Sequence, residues 1–234
     1  MKKIGLFFAL AVACGSVSCT DTTVDQPRQA SFVTVHQTAS VNGYYFETDA
    51  YKTIFPGDVS RIGAYTPTEG QRAIITYNLL EGDMPGYDYN AAIYGIGHIY
   101  TSSVRVVSDA DELATFADDP AQFKEGRLLG EWITMIVRCS AFDLSKHKFH
   151  MIVNDVVVPE NADEEYLSVE LRHDDGDDAQ GGQLYEIYVS FNTDAVAERL
   201  EGLKGIMIRY YDGSVVQYSK IERMALEASE ALGL

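Results

Sequence analysis

Hydrophobic and polar positions alternate with a period of two through most of the chain from Asn42 onward, the pattern of strands that bury one face. Tyr44-Tyr45-Phe46-Glu47-Thr48 reads as a strand. Lys52-Thr53-Ile54-Phe55 reads as the next and is stopped by Pro56-Gly57-Asp58. Gln71 to Leu79 is a longer strand, Gly82 to Tyr87 a loop. Asn90 to Val107 is β-rich, with Gly95 and Gly97 marking a bulge or tight bend. About five strands in roughly 70 residues fit a small barrel.

The pattern changes between Asp109 and Phe123. Asp109-Ala110-Asp111-Glu112-Leu113 predicts a helix start and Asp118-Asp119-Pro120 a break, so this segment reads as an interdomain connection. Strands then resume. Glu131 to Cys139 carries the single tryptophan, Trp132, and Lys148 to Asn154 follows. In Tyr166 to Arg172, Leu167, Val169 and Leu171 alternate with Ser168, Glu170 and Arg172. Leu184 to Asn192 sets Ile187, Val189 and Phe191 on one face, and Lys204 to Tyr211 does the same with Ile206, Ile208 and Tyr210. Asp212-Gly213 predicts a type I′ hairpin into Ser214 to Ile221. Such alternation predicts antiparallel sheets packed face to face. A short helix is expected at Asp194 to Leu200, ended by Gly202. The resulting division is a barrel over 41–115, a β-sandwich over 125–222 and a helical tail over 223–234. The class is all-β.

The N-terminus carries an address. Lys2 and Lys3 precede the apolar run Ile4 to Ala13, which is too short to span a bilayer and fits a secretory leader. Small residues before a cysteine predict lipoprotein processing. Cys19, after Ser16-Val17-Ser18, is the preferred acylation site and Cys14, after Ala11-Val12-Ala13, the alternative. The expected leader is 1–18 and a polar tether covers 19–40, with an edge strand at Phe32 to Val35. The expected home is the cell envelope, as an outer-membrane lipoprotein. Acylation at Cys19 would leave Cys139 as the one remaining thiol, so the fold must stand without an intrachain disulfide.

Charge narrows the partners. Eighteen basic residues against 35 acidic ones give a net charge of −17. Loss of Lys2 and Lys3 with the leader makes the mature chain more acidic still. A field of that sign repels nucleic acid, so no nucleic-acid partner is expected.

Four segments together resemble a known family. Gly43-Tyr44-Tyr45-Phe46-Glu47-Thr48-Asp49, Gly70-Gln71-Arg72-Ala73-Ile74-Ile75-Thr76-Tyr77 and Tyr188-Val189-Ser190-Phe191-Asn192, with Leu171-Arg172-His173-Asp174 between the last two, resemble the NigD-like lipoproteins of Bacteroides-type bacteria. The resemblance covers roughly Val41 to Glu222. It implies an N-terminal OB-type barrel and a C-terminal β-sandwich, and suggests a tie to a bacteriocin locus. It supplies no catalytic residues.

The densest polar cluster runs from Glu170 to Asp178. Asp174, Asp175, Asp177 and Asp178 could form a cation loop, since hard cations take several carboxylate oxygens. The EF-hand spacing is missing, and an acidic hairpin loop is the simpler reading. Arg172 and His173 form a possible polar site; paired surface charges account for Arg172 equally well. His147 and His150 are three apart, which on a strand places them on opposite faces and suits a shared metal poorly. Gly95-Ile96-Gly97-His98 lacks the third glycine of a dinucleotide site. No nucleophile elbow, zinc-protease motif or phosphate loop is present. Catalytic residues, a resident metal and cofactors are therefore not expected. Tyrosine is abundant, at fifteen residues, and exposed tyrosine suits contact with proteins or glycans. The reading is a lipid-anchored, non-enzymatic binding or assembly module for a protein or glycan. The alternatives are a bacteriocin-locus immunity or accessory protein, and an enzyme or metal protein using 170–178.

Overall fold

The computed structural model describes residues 28–226 apart from 40, 41, 158, 160 and 179–181. The leader, Cys14, Cys19, the first part of the expected tether (19–27) and the tail from 227 lie outside the described residues.

The first unit is a closed five-stranded barrel with strand order β1-β2-β3-β5-β4. Its strands are β1 (Gln29–Gln37), β2 (Tyr44–Thr48), β3 (Thr53–Asp58), β4 (Arg72–Leu79) and β5 (Tyr89–His98). Val33, Val35, Phe46, Ile54, Ile75 and Ile93 fill it. β1 was expected as a tether ending in a short edge strand. It is instead a full stave, paired antiparallel with β2 on one side and β4 on the other. Its outward residues Phe32 and Thr34 are covered by the second unit, and inward Ser31 meets the Tyr77 hydroxyl in the barrel, so polar Ser31 and Thr34 both sit buried and blur the alternation.

β3 also runs on through Pro56 rather than stopping there. Its pairing with β2 ends at Ile54, so the missing N–H of Pro56 breaks no ladder bond on that side. The register against β5 shifts just beyond it. A bulge is present near Gly95: Thr76 faces Gly95 and Tyr77 faces Ile93, which leaves Tyr94 as the extra residue.

The second unit is an eight-stranded sheet folded into two layers, ordered β13-β12-β10-β9-β6-β11-β8-β7. The strands are β6 (Tyr100–Val107), β7 (Gln122–Leu129), β8 (Trp132–Ala141), β9 (Lys148–Asn154), β10 (Tyr166–Asp174), β11 (Gln183–Asn192), β12 (Gly205–Tyr211) and β13 (Val216–Glu222). β6 makes the corner. Its first half pairs with β11 and its second half with β9. Leu128, Ile133, Val137, Phe149, Leu171 and Phe191 are among the side chains packed between the layers. β6 lies within the span expected for the barrel and belongs instead to this sandwich. The sandwich is also mixed: β6 with β9, β6 with β11, and β10 with β12 are parallel pairs. A period of two reports which face is buried and carries no strand direction.

Turn chemistry agrees with the sequence in most places. Asp109 caps the one-turn helix α1 (Ala110–Leu113), accepting from the N–H groups of Asp111 and Glu112 at 2.9 Å each. A 3₁₀ turn over Asp194–Val196 leads into α2 (Ala197–Leu200). The β12–β13 hairpin forms, but only Gly213 takes a positive φ, +98°. A type I′ turn needs two such residues. Here Asp212 accepts from the N–H groups of Ser214 and Val215 and closes the loop instead.

A buried arginine joins the two units. Arg72 on β4 points out of the barrel yet is fully buried, under the sheet formed by β7, β8 and β11. It pairs with Asp49 at 2.6 Å and donates to Thr34 Oγ1 at 3.1 Å and Ser190 Oγ at 3.3 Å. Its guanidinium lies 4.5 Å from the Trp132 ring centre. Asp49 also holds Arg127 from β7 at 2.5 Å. The β7–β8 turn fits against this pair through Gly130, where φ is +57° and an added Cβ would stand 2.6 Å from the Asp49 carbonyl oxygen.

Asp49→Ala leaves the Arg72 charge buried without its carboxylate. We expect a loss of about 3–5 kcal/mol in urea unfolding. The charge-free double variant Asp49→Leu with Arg72→Met should recover most of that loss. A single variant as stable as wild type would show that the pair carries no such constraint.

Candidate functional site

Two places concentrate chemistry. The first grows from β10, where alternation sends Arg172 outward and His173 inward. Arg172 donates to Glu170 at 2.7 Å and lies 3.3 Å from Asp118. Arg209 grips the same Asp118 with two bonds of 2.9 and 2.7 Å, and Glu170 accepts from Asn154 at 2.8 Å. Arg172 is thus one corner of an ion-pair ladder on the sheet surface. It does not share a site with His173.

His173 is buried between the layers. Its ring stacks on Phe149 at 4.7 Å and 10°, and its Nδ1 donates to the Pro120 carbonyl at 3.0 Å. Its Nε2 faces His147 Nδ1 at 2.8 Å. His147 Nε2 in turn lies 3.4 Å from Asp178 Oδ2. Burial, and then the neighbouring His147, push the His173 imidazole below its ordinary value. Cys139 on β8 completes the group. Its sulfur and one ring nitrogen from each histidine all lie within 4.8 Å of one another. The Cys139 thiol is pushed up to about 11 by burial. A cleft of about 330 Å³ between the two units is lined by His147 and Phe149, together with Ile74, His98 and Tyr188.

The four aspartates of the expected cation loop separate. Asp178 turns inward, where it accepts from the N–H groups of Phe142 at 2.6 Å and Asp143 at 2.9 Å. Those bonds, with those from His147 and the nearby Lys146, hold its carboxyl at about 2. Asp174 and Asp175 accept from Gly176 N–H and Asp177 N–H, and Asp119 accepts from Asp175 N–H. Asp119, Asp174 and Asp175 stand close enough to share an ion, but their oxygens close the turn that carries them. Asp177 holds the left-handed φ of +57° in that turn.

The second place is the outer face of the barrel. His36 on β1 stacks on Tyr45 of β2 at 5.1 Å. Tyr45 meets Tyr87 at 5.5 Å, and Tyr87 meets Phe55 of β3 at 5.2 Å. His36, Tyr45 and Tyr87 are half-buried, so the rings form one run across three strands and the β4–β5 loop. Glu69 binds His36 Nδ1 at 2.9 Å. Burial first, then the charges of Glu47 and Glu69, push the Tyr45 hydroxyl above its ordinary value.

Alternation correctly separates Tyr44, which is buried in the barrel, from its outward neighbour Tyr45. It does not foresee His36, Phe55 and Tyr87 beside Tyr45, since these come from three other segments. The sequence separates His147 from His150 for a sound reason: His150 packs instead against Phe116 at 5.1 Å. It gives no sign that His147, one residue before β9, reaches His173.

Two family models match the chain. One describes the NigD-like N-terminal OB domain over residues 32–99, the other the NigD-like C-terminal β-sandwich domain over residues 104–219. No curated protein matches. Among solved structures, a protein of unknown function from Bacteroides vulgatus superposes with a TM-score of 0.68 at 17% identity, covering 85% of this chain and 92% of its own. A candidate lipoprotein from Bacteroides fragilis gives 0.61 at 13%, covering 85% and 99%. A NigD-like immunity protein from Bacteroides caccae gives 0.59 at 18%, covering 82% and 92%. At these identities the likeness shows the fold.

The lowered Asp178 value has a stability consequence. A carboxyl held below its ordinary 3.8 contributes stability above that value and loses it as pH falls toward about 2. Wild type should therefore melt higher than Asp178→Asn near neutrality, and the gap should close as pH falls from about 4 to about 2. A gap independent of pH in thermal melts would contradict the assignment.

Proposed function

Because the chain belongs to the NigD-like family, with its OB barrel and β-sandwich in that order, we propose that it is a lipid-anchored, non-catalytic envelope module that binds a protein or glycan partner. The observation that carries this reading is the aromatic run His36–Tyr45–Tyr87–Phe55. It runs from β1 across β2 and β3 to the β4–β5 loop, and the β2–β3 face with the β4–β5 loop is where OB barrels bind their ligands. Flat rings stack on the apolar faces of sugars and anchor protein contacts at little entropic cost. Glu47, Glu69 and Asp88 surround them, so a polyanion such as nucleic acid is disfavoured.

The leader pattern supports lipid attachment at Cys19, with the outer membrane as the site. No helix among the described residues is long and apolar enough to cross a membrane, and one structural neighbour is a candidate lipoprotein. The engagement of Arg172 and of the Asp174, Asp175 and Asp178 carboxylates in ion pairs and turn bonds supports a non-catalytic role. A second reading, an immunity or accessory role at a bacteriocin locus, rests on the neighbour described as a NigD-like immunity protein. Deletion of the gene with no change in toxin sensitivity would remove that reading.

Three experiments test the proposal. Capture from crosslinked cells and a glycan array should each be run with wild type and with Tyr45→Ala/Tyr87→Ala. We expect the partner or glycan signal to fall at least about tenfold in a variant that still folds, as for loss of interface anchors. A signal indifferent to both rings would refute the barrel-face assignment. Palmitate labelling in cells should vanish with Cys19→Ser and persist with Cys14→Ser; the reverse would move the anchor to Cys14.

A further inference from the structure

We propose that Cys139, His147 and His173 form a binding site for a zinc-class metal ion inside the β-sandwich. The three side chains come from separate segments: β8, the residue between a 3₁₀ turn (Leu144–Lys146) and β9, and β10. All three are buried, and their donor atoms lie within 4.8 Å of one another. One thiolate with two imidazoles is a borderline-soft donor set, which suits zinc(II).

The hydrogen bonds around the group make the stronger argument. Metal-bound histidines nearly always give their outer N–H to a carboxylate or a backbone carbonyl, which fixes the ring and turns the other nitrogen inward. Both arrangements are present. His173 Nδ1 is held by the Pro120 carbonyl at 3.0 Å, and His147 Nε2 faces the Asp178 carboxylate at 3.4 Å. Asp178 is itself fixed by two backbone N–H groups. With a hydrogen on each outer nitrogen, the inner nitrogens His147 Nδ1 and His173 Nε2 point their lone pairs at each other across 2.8 Å. Two lone pairs at that distance repel; a hydrogen moved onto one inner nitrogen relieves this, and so does a metal ion between the two.

A shared proton fits 2.8 Å. A tetrahedral zinc with bonds of about 2.0–2.1 Å needs the nitrogens about 3.3 Å apart, so the rings must part by about half an ångström. The cleft between the two units reaches the group at His147. On binding, the Cys139 thiol releases its proton to solvent and the sulfur takes the metal. Three protein donors leave one coordination position for water or a small ligand. The site is remote in sequence from the barrel's aromatic run and does not depend on the proposed binding role.

The test uses the mature chain carrying Cys19→Ser, in which Cys139 is the sole cysteine. Cobalt(II), a spectroscopic stand-in for zinc, is titrated in without oxygen. We expect one equivalent to bind, with a thiolate-to-cobalt charge-transfer band and the visible bands of a four-coordinate ion, both displaced by zinc(II). Cys139→Ser, close to isosteric, should abolish the charge-transfer band while the chain stays folded by circular dichroism. Asp178→Asn should weaken zinc affinity about 10- to 100-fold. A folded chain that takes up no cobalt or zinc would overturn the proposal and leave a proton between the rings. So would a charge-transfer band that survives in Cys139→Ser. If histidine variants fail to fold, the Cys139→Ser spectrum still decides.

Discussion

The arrangement of the two units depends on Arg72. Removing a guanidinium from water costs several kcal/mol even after relaxation. It can be tolerated here only because every side of the group has a partner: Asp49 at 2.6 Å, the hydroxyls of Thr34 and Ser190, and the Trp132 ring. Asp49 and Thr34 belong to the barrel with Arg72, while Ser190 and Trp132 belong to the sandwich. Arg127, which shares Asp49, also comes from the sandwich. Two apolar faces could slide past one another at little cost. An ion pair shared among three charged groups cannot, because any displacement strands a buried charge. The pair therefore does more to fix one docking geometry than to add stability. Burial pushes the Arg72 guanidinium below its ordinary value, and Asp49 opposes that shift.

That docking shapes what lies around it. The outward residues of β1 run Phe32, Thr34, His36. Phe32 meets Tyr188 of β11 edge-on at 5.2 Å and takes Arg127 over its face at 4.3 Å. Thr34 receives Arg72. Only His36 emerges, and there the aromatic run begins. The sandwich covers one end of the barrel's outer face and leaves the other end with its rings half open. The same docking places Ile74 and His98 of the barrel opposite His147, Phe149 and Tyr188, which makes the cleft. One interdomain contact thus sets the limits of both places where chemistry gathers.

Much of this architecture is legible in the sequence, and particular residues show where legibility ends. β9 runs from Lys148 to Asn154 as its alternation predicts, and the cap at Asp109 forms where Asp111 and Glu112 follow it. β1 is harder to read because both of its faces are covered, so Ser31 and Thr34 are polar and buried at once. β6 could not be assigned from pattern alone: nothing local tells a strand whether its partner is β5 behind it or β9 and β11 far ahead. Direction is invisible for the same reason, and three parallel pairs therefore stand within a sandwich whose faces alternate as antiparallel ones do. Arg72 is part of a strand motif in the sequence, yet no local signal marks it as buried. Its partners Asp49, Thr34 and Ser190 are 23, 38 and 118 positions away.

The candidate sites follow the same rule. The acidic cluster at 170–178 looks like one site because its residues are adjacent, and adjacency is a poor guide in a strand. β10 sends Arg172 to the surface ladder and His173 to the interior. The turn then spends Asp174 and Asp175 on its own backbone and returns Asp178 inward beside His147. What the fold assembles is a set drawn from positions 139, 147, 173 and 178, in which each histidine has its outer nitrogen facing an oxygen. Such an arrangement is costly to build by chance, since two imidazoles between sheets forgo water on every edge. The space between their inner nitrogens must then hold either a hydrogen, bonded from one ring to the other, or a metal ion. That requirement is a property of the pair, invisible in either histidine alone.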